Sequence, residues 1–236
     1  MYLYNGYYGA VSYDWTYLLL IAAMFLSLFA SFKVNSTYSK YAKVMAKSGL
    51  TAEMAVQRVL QANGVYGVSI GRVSGNLTDN FNPKTNVISL SDSVYGKSSV
   101  AAIGVACHEA GHAVQHAKEY GPAKLRLSMV PITNISSRFS MLILILGFAL
   151  GFMGLIWTGI ILFSVTTAFQ LVTLPTEFDA SRRALESLDS QGIMDKSELK
   201  CVKKVLSAAA LTYVAALATS VLTLLRYIAM ANRRRD

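Results

Sequence analysis

The sequence is poor in charged residues, in acids above all, and in cysteine. Only 15% of the 236 residues are charged and 53% are hydrophobic, a composition that excludes an ordinary soluble domain. Cys107 and Cys201 are too few for a disulfide framework, and both fit a reducing compartment as buried thiols. Asp and Glu number 13 against 22 Lys and Arg. The scarcity of charge predicts a membrane protein.

Three uncharged stretches hold most of the apolar residues. Residues 15–32 can cross a hydrocarbon core of about 30 Å, and no Lys or Arg precedes them, so we expect a retained anchor and not a cleaved signal peptide. Residues 139–176, 38 without a charge, predict a helical hairpin that turns near Trp157, Thr158 and Gly159. Residues 205–225 form either a fourth span or a buried helix packed against the bundle. About four membrane helices are expected.

The positions of the Lys and Arg residues predict the orientation. Twelve of the 22 lie in residues 33–138 and six in 175–204, on one side of the membrane if the hairpin exists. The positive-inside rule makes that side cytoplasmic in a multi-pass protein of the plasma membrane. The four C-terminal arginines oppose this orientation if the fourth segment crosses completely. The net charge of +9 indicates attraction to an anionic inner leaflet and not to nucleic acid.

All three histidines lie in one run, CHEAGHAVQH at residues 107–116. On a helix, His108 and His112 would lie one turn apart on the same face, where both can bind one Zn²⁺. Glu109 can then contact a metal-bound water without binding the metal. Ala110 and Gly111 are expected to leave room for metal and substrate. Such a pattern can arise by chance, but the concentration of every histidine here favours a zinc hydrolase.

A third ligand must come from elsewhere. His116 lies eight residues after His108, about 12 Å along a helix, so we interpret it as a helix-face residue or a hydrogen-bonding neighbour of the site. After the hairpin, Pro175 is expected to end the membrane helix and Thr176 to cap a new one. Glu177 would begin that helix on the same side as the histidines and complete a His₂Glu site with an open position for water.

Two neighbours of Glu177 have separate predicted roles. Asp179 lies about 200° around the helix from Glu177, so we expect it to be solvated or ion-paired with Arg182 or Arg183. Ser181 lies one turn beyond Glu177 and is predicted to support a ligand by hydrogen bonding.

The region between the first span and the motif predicts a small α+β, zincin-like portion. Residues 50–63 should be a helix capped by Thr51 and ended near Gly64, and residues 68–73 and 85–90 should be strands. Residues 86–89 form either an edge strand that pairs with an extended peptide or a scaffold strand. The resulting division is an anchor (1–33), an extramembrane region (34–137), a hairpin (138–176), a helix with the third ligand (177–204), and a membrane or membrane-packed helix with a basic tail (205–236).

Five motifs carry a family resemblance over nearly the whole chain: GNLTD at 75–79, PKTNVISLS at 83–91, HEAGH at 108–112, EFDASRRA at 177–184 and AALTYVAA at 209–216. The chain resembles the YugP-like membrane zinc metallopeptidases of bacteria and, distantly, the HtpX-type membrane peptidases. The resemblance implies His108, His112 and Glu177 as zinc ligands and Glu109 as base. HtpX-type proteins have Asp four residues after the ligand Glu, where this chain has Ser181.

The predicted reaction is metal-assisted hydrolysis of a peptide bond in membrane proteins or their cytosolic loops. Glu109 would take a proton from water and deliver it to the leaving amine. Tyr213 and Arg183 are candidates for stabilising the oxyanion, although Tyr213 could be a packed aromatic residue. The alternative is a non-catalytic scaffold with a structural zinc, which would need neither Glu109 nor an open ligand position. Gly147 and Gly151 could pack helices within or between chains, and the oligomeric state stays open.

Overall fold

The computed structural model describes residues 16–234. Its elements are, in chain order, α1 (Thr16–Tyr41), α2 (Ala52–Ala62), β1 (Ser69–Val73), β2 (Asn80–Asn82), β3 (Val87–Ser91), α3 (Val100–Ala117), α4 (Gly121–Leu150), α5 (Met153–Ser190) and α6 (Lys196–Arg233). Helices α1, α4, α5 and α6 are long and apolar enough to cross a membrane. A mainly helical membrane protein with a small α+β part is thereby confirmed. Trp15, the predicted start of the first span, lies outside the described residues.

Helix α1 shows the surface that a bilayer would cover. Phe25, Phe29 and Phe32 are 62%, 57% and 72% exposed, and α1 buries few of its residues in the protein. An apolar surface of this extent marks a membrane or partner interface. Helix α1 packs along α6, where the Ser27 and Thr219 hydroxyls are 3.1 Å apart.

The hairpin turns earlier than predicted, at Gly151 and Phe152, and Trp157 and Thr158 lie inside α5. Gly151 adopts φ +69°, the left-handed conformation that suits glycine at a helix end. A Cβ on Gly147 would lie 2.8 Å from the backbone nitrogen of Ile156. Gly147 therefore allows close packing of α4 and α5 within the chain, whereas Gly151 forms the turn.

Pro175 does not end a helix, and Thr176 does not cap one, because α5 continues through both to Ser190. Proline removes one backbone donor from a helix. Helix α5 nevertheless continues on both sides of Pro175, from Met153 to Ser190. Glu177 therefore lies within the same helix that forms the second arm of the hairpin. The predicted boundaries at 137/138, 176/177 and 204/205 each fall inside a continuous helix.

Helix α6 runs the full length of the hairpin. Ala231 is fully buried in a cluster with Leu144 and Ile156, and the Arg234 guanidinium donates to the carbonyl of Phe148, near the α4–α5 turn. The described C-terminal arginines therefore lie at the turn end of the bundle, away from α3. Residues 205–225 belong to a helix that is long and apolar enough to span a membrane and that also packs against α4 and α5 through Ala231, so both predicted alternatives stay open.

The sheet has the order β1-β3-β2, with β1 parallel and β2 antiparallel to β3. Of the two alternatives for residues 86–89, the structure has the scaffold strand, because β3 pairs with β1 on one side and with β2, which the sequence did not reveal, on the other. The side chains of Ile88 and Leu90 on β3 are fully buried, as expected of a central strand. Helix α2 begins as predicted, with Thr51 Oγ1 accepting from the Met54 amide at 3.4 Å.

Candidate metal centre

His108, His112 and Glu177 meet where α3 crosses α5. Glu177 Oε2 lies 3.3 Å from His108 Nε2 and 3.5 Å from His112 Nε2, and one donor atom from each residue falls within 4.8 Å of the others. The Glu177 side chain is only 2% exposed. A buried carboxylate needs a compensating charge. The Arg126 guanidinium supplies one at Glu177 Oε1, 3.1 Å away, while Oε2 faces the two imidazoles, where a cation would be held.

The spacing of the donor atoms fits zinc. Tetrahedral ligands about 2.0–2.1 Å from Zn²⁺ are separated by about 3.3 Å, close to the two distances observed from Glu177 Oε2. Two imidazoles and one carboxylate are also a common ligand set of catalytic zinc sites. His116 is exposed and lies against Phe81, with ring centroids 6.0 Å apart. His116 is therefore a helix-face residue outside the ligand group.

A glycine allows the two helices to approach this closely. A Cβ on Gly111 would lie 2.5 Å from the backbone oxygen of Ala180. The expectation that Ala110 and Gly111 leave room for metal and substrate is therefore wrong for Gly111, because the α5 backbone fills that space. The close contact instead brings Glu177, three residues before Ala180, within reach of both histidines.

Both imidazoles are held through their Nδ1 atoms. His112 Nδ1 lies 3.0 Å from Gln115 Oε1, and the Gln115 amide nitrogen donates to the Thr176 carbonyl at 2.8 Å and to Asp179 Oδ2 at 2.9 Å. Since that nitrogen already donates twice, Gln115 Oε1 must accept from His112 Nδ1–H. The Nε2 lone pair of His112 is thereby left facing Glu177.

Ser181 supports His108 in the way that Gln115 supports His112. Its Oγ lies 3.1 Å from His108 Nδ1, so the predicted supporting hydrogen bond is present. Serine is shorter than the Asp of HtpX-type proteins at this position, yet Ser181 still reaches the ring of His108. Both histidines consequently turn Nε2 toward one point.

Asp179 forms the ion pairs predicted for it. The guanidinium of Arg182 and, at 2.5 Å, Nε of Arg183 both contact its carboxylate, while Gln115 donates to the same group. Arg183 also packs over the Tyr120 ring, 5.5 Å from its centroid. The structure therefore places Arg183 behind the histidines, outside the residues that line the site cavity.

A cavity of about 250 Å³ opens beside two of the three donor groups, His112 and Glu177. Glu109 and Tyr213 line it, together with Asn80 and Phe81 from the edge strand β2. Burial raises the pKa of Glu109, and the nearby imidazoles offset only part of this effect. A carboxylate with a raised pKa inside a cavity is suited to proton transfer near neutral pH.

Two site residues were missed in the sequence. Gln115 lies three residues after His112 on the same helix face, so its spacing could have revealed it. Arg126 Nη1 lies 3.1 Å from Glu177 Oε1 and lines the cavity, but it comes from α4. Only the three-dimensional fold brings Arg126 to the site.

Comparisons with known proteins identify relatives of this chain. A family described as "Putative neutral zinc metallopeptidase" matches residues 16–232. The "Putative membrane protease YugP" of Bacillus subtilis (strain 168) is 47% identical over 218 residues, which cover 92% of this chain and 97% of that protein. No solved structure matches the chain.

Proposed function

This chain belongs to the neutral zinc metallopeptidase family, and from that membership we propose that it is a membrane-embedded zinc endopeptidase with Glu109 as its general base. Its substrates are membrane-associated or cytosol-facing proteins, whose peptide bonds it hydrolyses. The observation that carries the proposal is the convergence of the His108, His112 and Glu177 donor atoms beside a cavity that Glu109 also lines.

His108, His112 and Glu177 would hold the zinc ion. When bound there, zinc lowers the pKa of a water and polarises the scissile carbonyl. Gln115 and Ser181 keep the two Nε2 atoms directed at the ion by accepting from the Nδ1 side. Arg126 compensates part of the negative charge of Glu177.

Glu109 performs the proton transfers. Its carboxylate takes a proton from the attacking water and returns it to the leaving amine. The Tyr213 hydroxyl, which lies at the same cavity, donates to the developing oxyanion. Arg183 acts through Asp179 and Gln115 on the orientation of His112, so it is a positioning residue. We expect Tyr213→Phe to lower kcat with little change in KM, and retention of full kcat would remove Tyr213 from the mechanism.

The substrate lies along β2. This edge strand lines the cavity through Asn80 and Phe81 and pairs on one side with β3, which leaves the other side for an extended peptide. A photo-crosslinking residue at position 80 should capture a bound peptide in the Glu109→Gln protein. The same residue placed at exposed Lys97 is the control, and equal capture at both positions would contradict the assignment.

The active site faces the cytoplasm. Eighteen of the 22 Lys and Arg lie in the two segments predicted on the site's side, and the described C-terminal arginines lie at the opposite end. In a Cys201→Ala background, Lys84→Cys should react with an impermeant maleimide only after cells are permeabilised. Phe152→Cys, at the α4–α5 turn, should react in intact cells. The reverse pattern would invert the orientation.

The decisive test compares wild type, Glu109→Gln and Glu177→Ala as full-length purified proteins. Wild type should hold about one zinc per chain, Glu109→Gln should keep the zinc but lose at least about 100-fold in casein cleavage, and Glu177→Ala should lose the zinc. Glu119→Gln, on an exposed side chain, is the matched control and should behave as wild type. A Glu109→Gln protein that cleaves normally would instead favour a scaffold with a structural zinc.

A further inference from the structure

A basic groove lies between α1 and α6, away from the metal centre. It measures about 890 Å³, and five lysines line it: Lys33, Lys40, Lys200, Lys203 and Lys204. Lys33 is the first charged residue after the uncharged part of α1, and Lys204 is the last before the uncharged part of α6. The lysines therefore lie where both helices leave the apolar region, and the groove shares no lining residue with the catalytic cavity.

The positive charge of this groove is not compensated by the described part of the chain. All five lysines are exposed, and within residues 16–234 none forms an ion pair with a carboxylate. The acids nearest in sequence are engaged elsewhere. Asp195 pairs with Lys47 at 2.6 Å, and Glu198 accepts from the Lys47 amide at 2.7 Å. Five like charges around one groove favour an anionic occupant.

The polarity of the groove changes along its length. Five lysines, Thr37 and Ser207 line the groove. Ala208 and Leu211, which belong to the uncharged part of α6, extend the lining toward the apolar segment. A free phosphate would need only the lysines. A ligand with a phosphate at one end and acyl chains at the other matches the whole groove.

We propose that this groove binds the phosphate group of an anionic phospholipid, with the lipid acyl chains lying against α6. Lysine is a point charge that suits phosphate without fixed geometry, and basic pockets between membrane helices on the cytoplasmic side bind anionic headgroups. One bound lipid would join α1 to α6 at the membrane surface. The proposal does not depend on the catalytic assignment.

Native mass spectrometry of the full-length protein in detergent tests the proposal, with phosphatidylglycerol and phosphatidylcholine as probes. Wild type should retain one phosphatidylglycerol in preference to phosphatidylcholine. The groove variant, with Lys33, Lys40, Lys203 and Lys204 all changed to Gln, should lose at least about tenfold in phosphatidylglycerol retention. Equal retention of the two lipids by wild type would overturn the proposal.

A charge-matched control separates a site from general attraction. It changes four lysines outside the groove to Gln: Lys43, Lys84, Lys97 and Lys196. This variant carries the same net charge as the groove variant and should retain the lipid within about twofold of wild type. If both variants lose the lipid equally, the groove is not a specific site.

Two further measurements distinguish the ligand source and exclude misfolding. Millimolar inorganic phosphate should leave the lipid bound, and its displacement by phosphate alone would assign the groove to a soluble phosphate compound and overturn the lipid assignment. Zinc content and circular dichroism should be unchanged in the groove variant. If that variant does not fold, Lys33→Gln with Lys204→Gln, one change on each helix, should still weaken retention severalfold.

Discussion

Gly111→Ala tests whether close contact between α3 and α5 creates the metal centre. The added Cβ would lie 2.5 Å from the Ala180 backbone oxygen, whereas ordinary contact begins near 3.4 Å. The two helices must therefore separate locally by as much as 0.9 Å, the difference of these two values. Since Glu177 lies one turn from Ala180, the separation should carry its carboxylate away from both histidines.

The expected effect on zinc binding is larger than the effect on folding. Overpacking a core typically costs about 1–3 kcal/mol, and the better helix propensity of alanine returns about 1 kcal/mol. Zinc ligands, in contrast, tolerate displacements of only about 0.2 Å. We expect zinc affinity to fall by at least about 100-fold, measured by chelator competition on purified protein, with a change in Tm of a few degrees.

Gly104→Ala is the matched control on the same helix. Its Cβ would meet the Val202 side chain of α6 at 2.8 Å, so it should also lower Tm but leave zinc affinity within about threefold of wild type, because it does not act on α5. Wild-type zinc binding by Gly111→Ala would refute the reasoning. Equal loss of zinc in both variants would show that general loosening of α3, and not the contact with α5, controls the site.

Three further predictions concern the site and the hairpin. Gln115→Ala should weaken zinc binding about 10–100-fold by releasing His112 Nδ1, whereas His116→Ala should leave zinc binding unchanged. If the two variants bind zinc with the same affinity, the Gln115 amide does not support the site. Burial lowers the pKa of His112, but neighbouring carboxylates outweigh this and raise it overall. Zinc affinity of the metal-free protein should therefore fall about tenfold per pH unit below that raised pKa, and a flat profile from pH 8 to 5.5 would contradict this. Gly147→Ala should destabilise the hairpin by about 1–3 kcal/mol because its Cβ meets backbone, whereas Gly154→Ala, which meets the movable Phe152 ring, should leave Tm nearly unchanged.

The sequence predicted what depends on local pattern. Helical spacing put His108 and His112 on one face, the Thr51 cap and Gly64 bounded α2, and the uncharged runs indicated the membrane helices. Glu177 was chosen because the hairpin had to return the chain to the same side. Each of these inferences uses neighbours within a few turns or the length of one membrane span.

The errors arose where tertiary packing decides. Pro175 normally disfavours a helix interior, yet the rest of α5 continues through it. The turn was predicted at the middle of the uncharged run, near Trp157, but α4 begins well before that run, so the turn comes earlier, at Gly151. Strand β2 has only three residues, too short for alternation to be recognised. Its pairing made β3 central, and this moved the edge of the sheet to Asn80.

The continuity of α5 has a consequence for biosynthesis. On the ligand assignment proposed above, the histidines are translated before the hairpin and Glu177 after it, so the third ligand arrives only when both arms of the hairpin have entered the bilayer. A ribosome-bound or soluble precursor would carry the HEAGH helix without a complete metal site. On the proposed function, membrane insertion would complete the site, and the newly made chain would not cleave proteins in the cytosol before it is inserted.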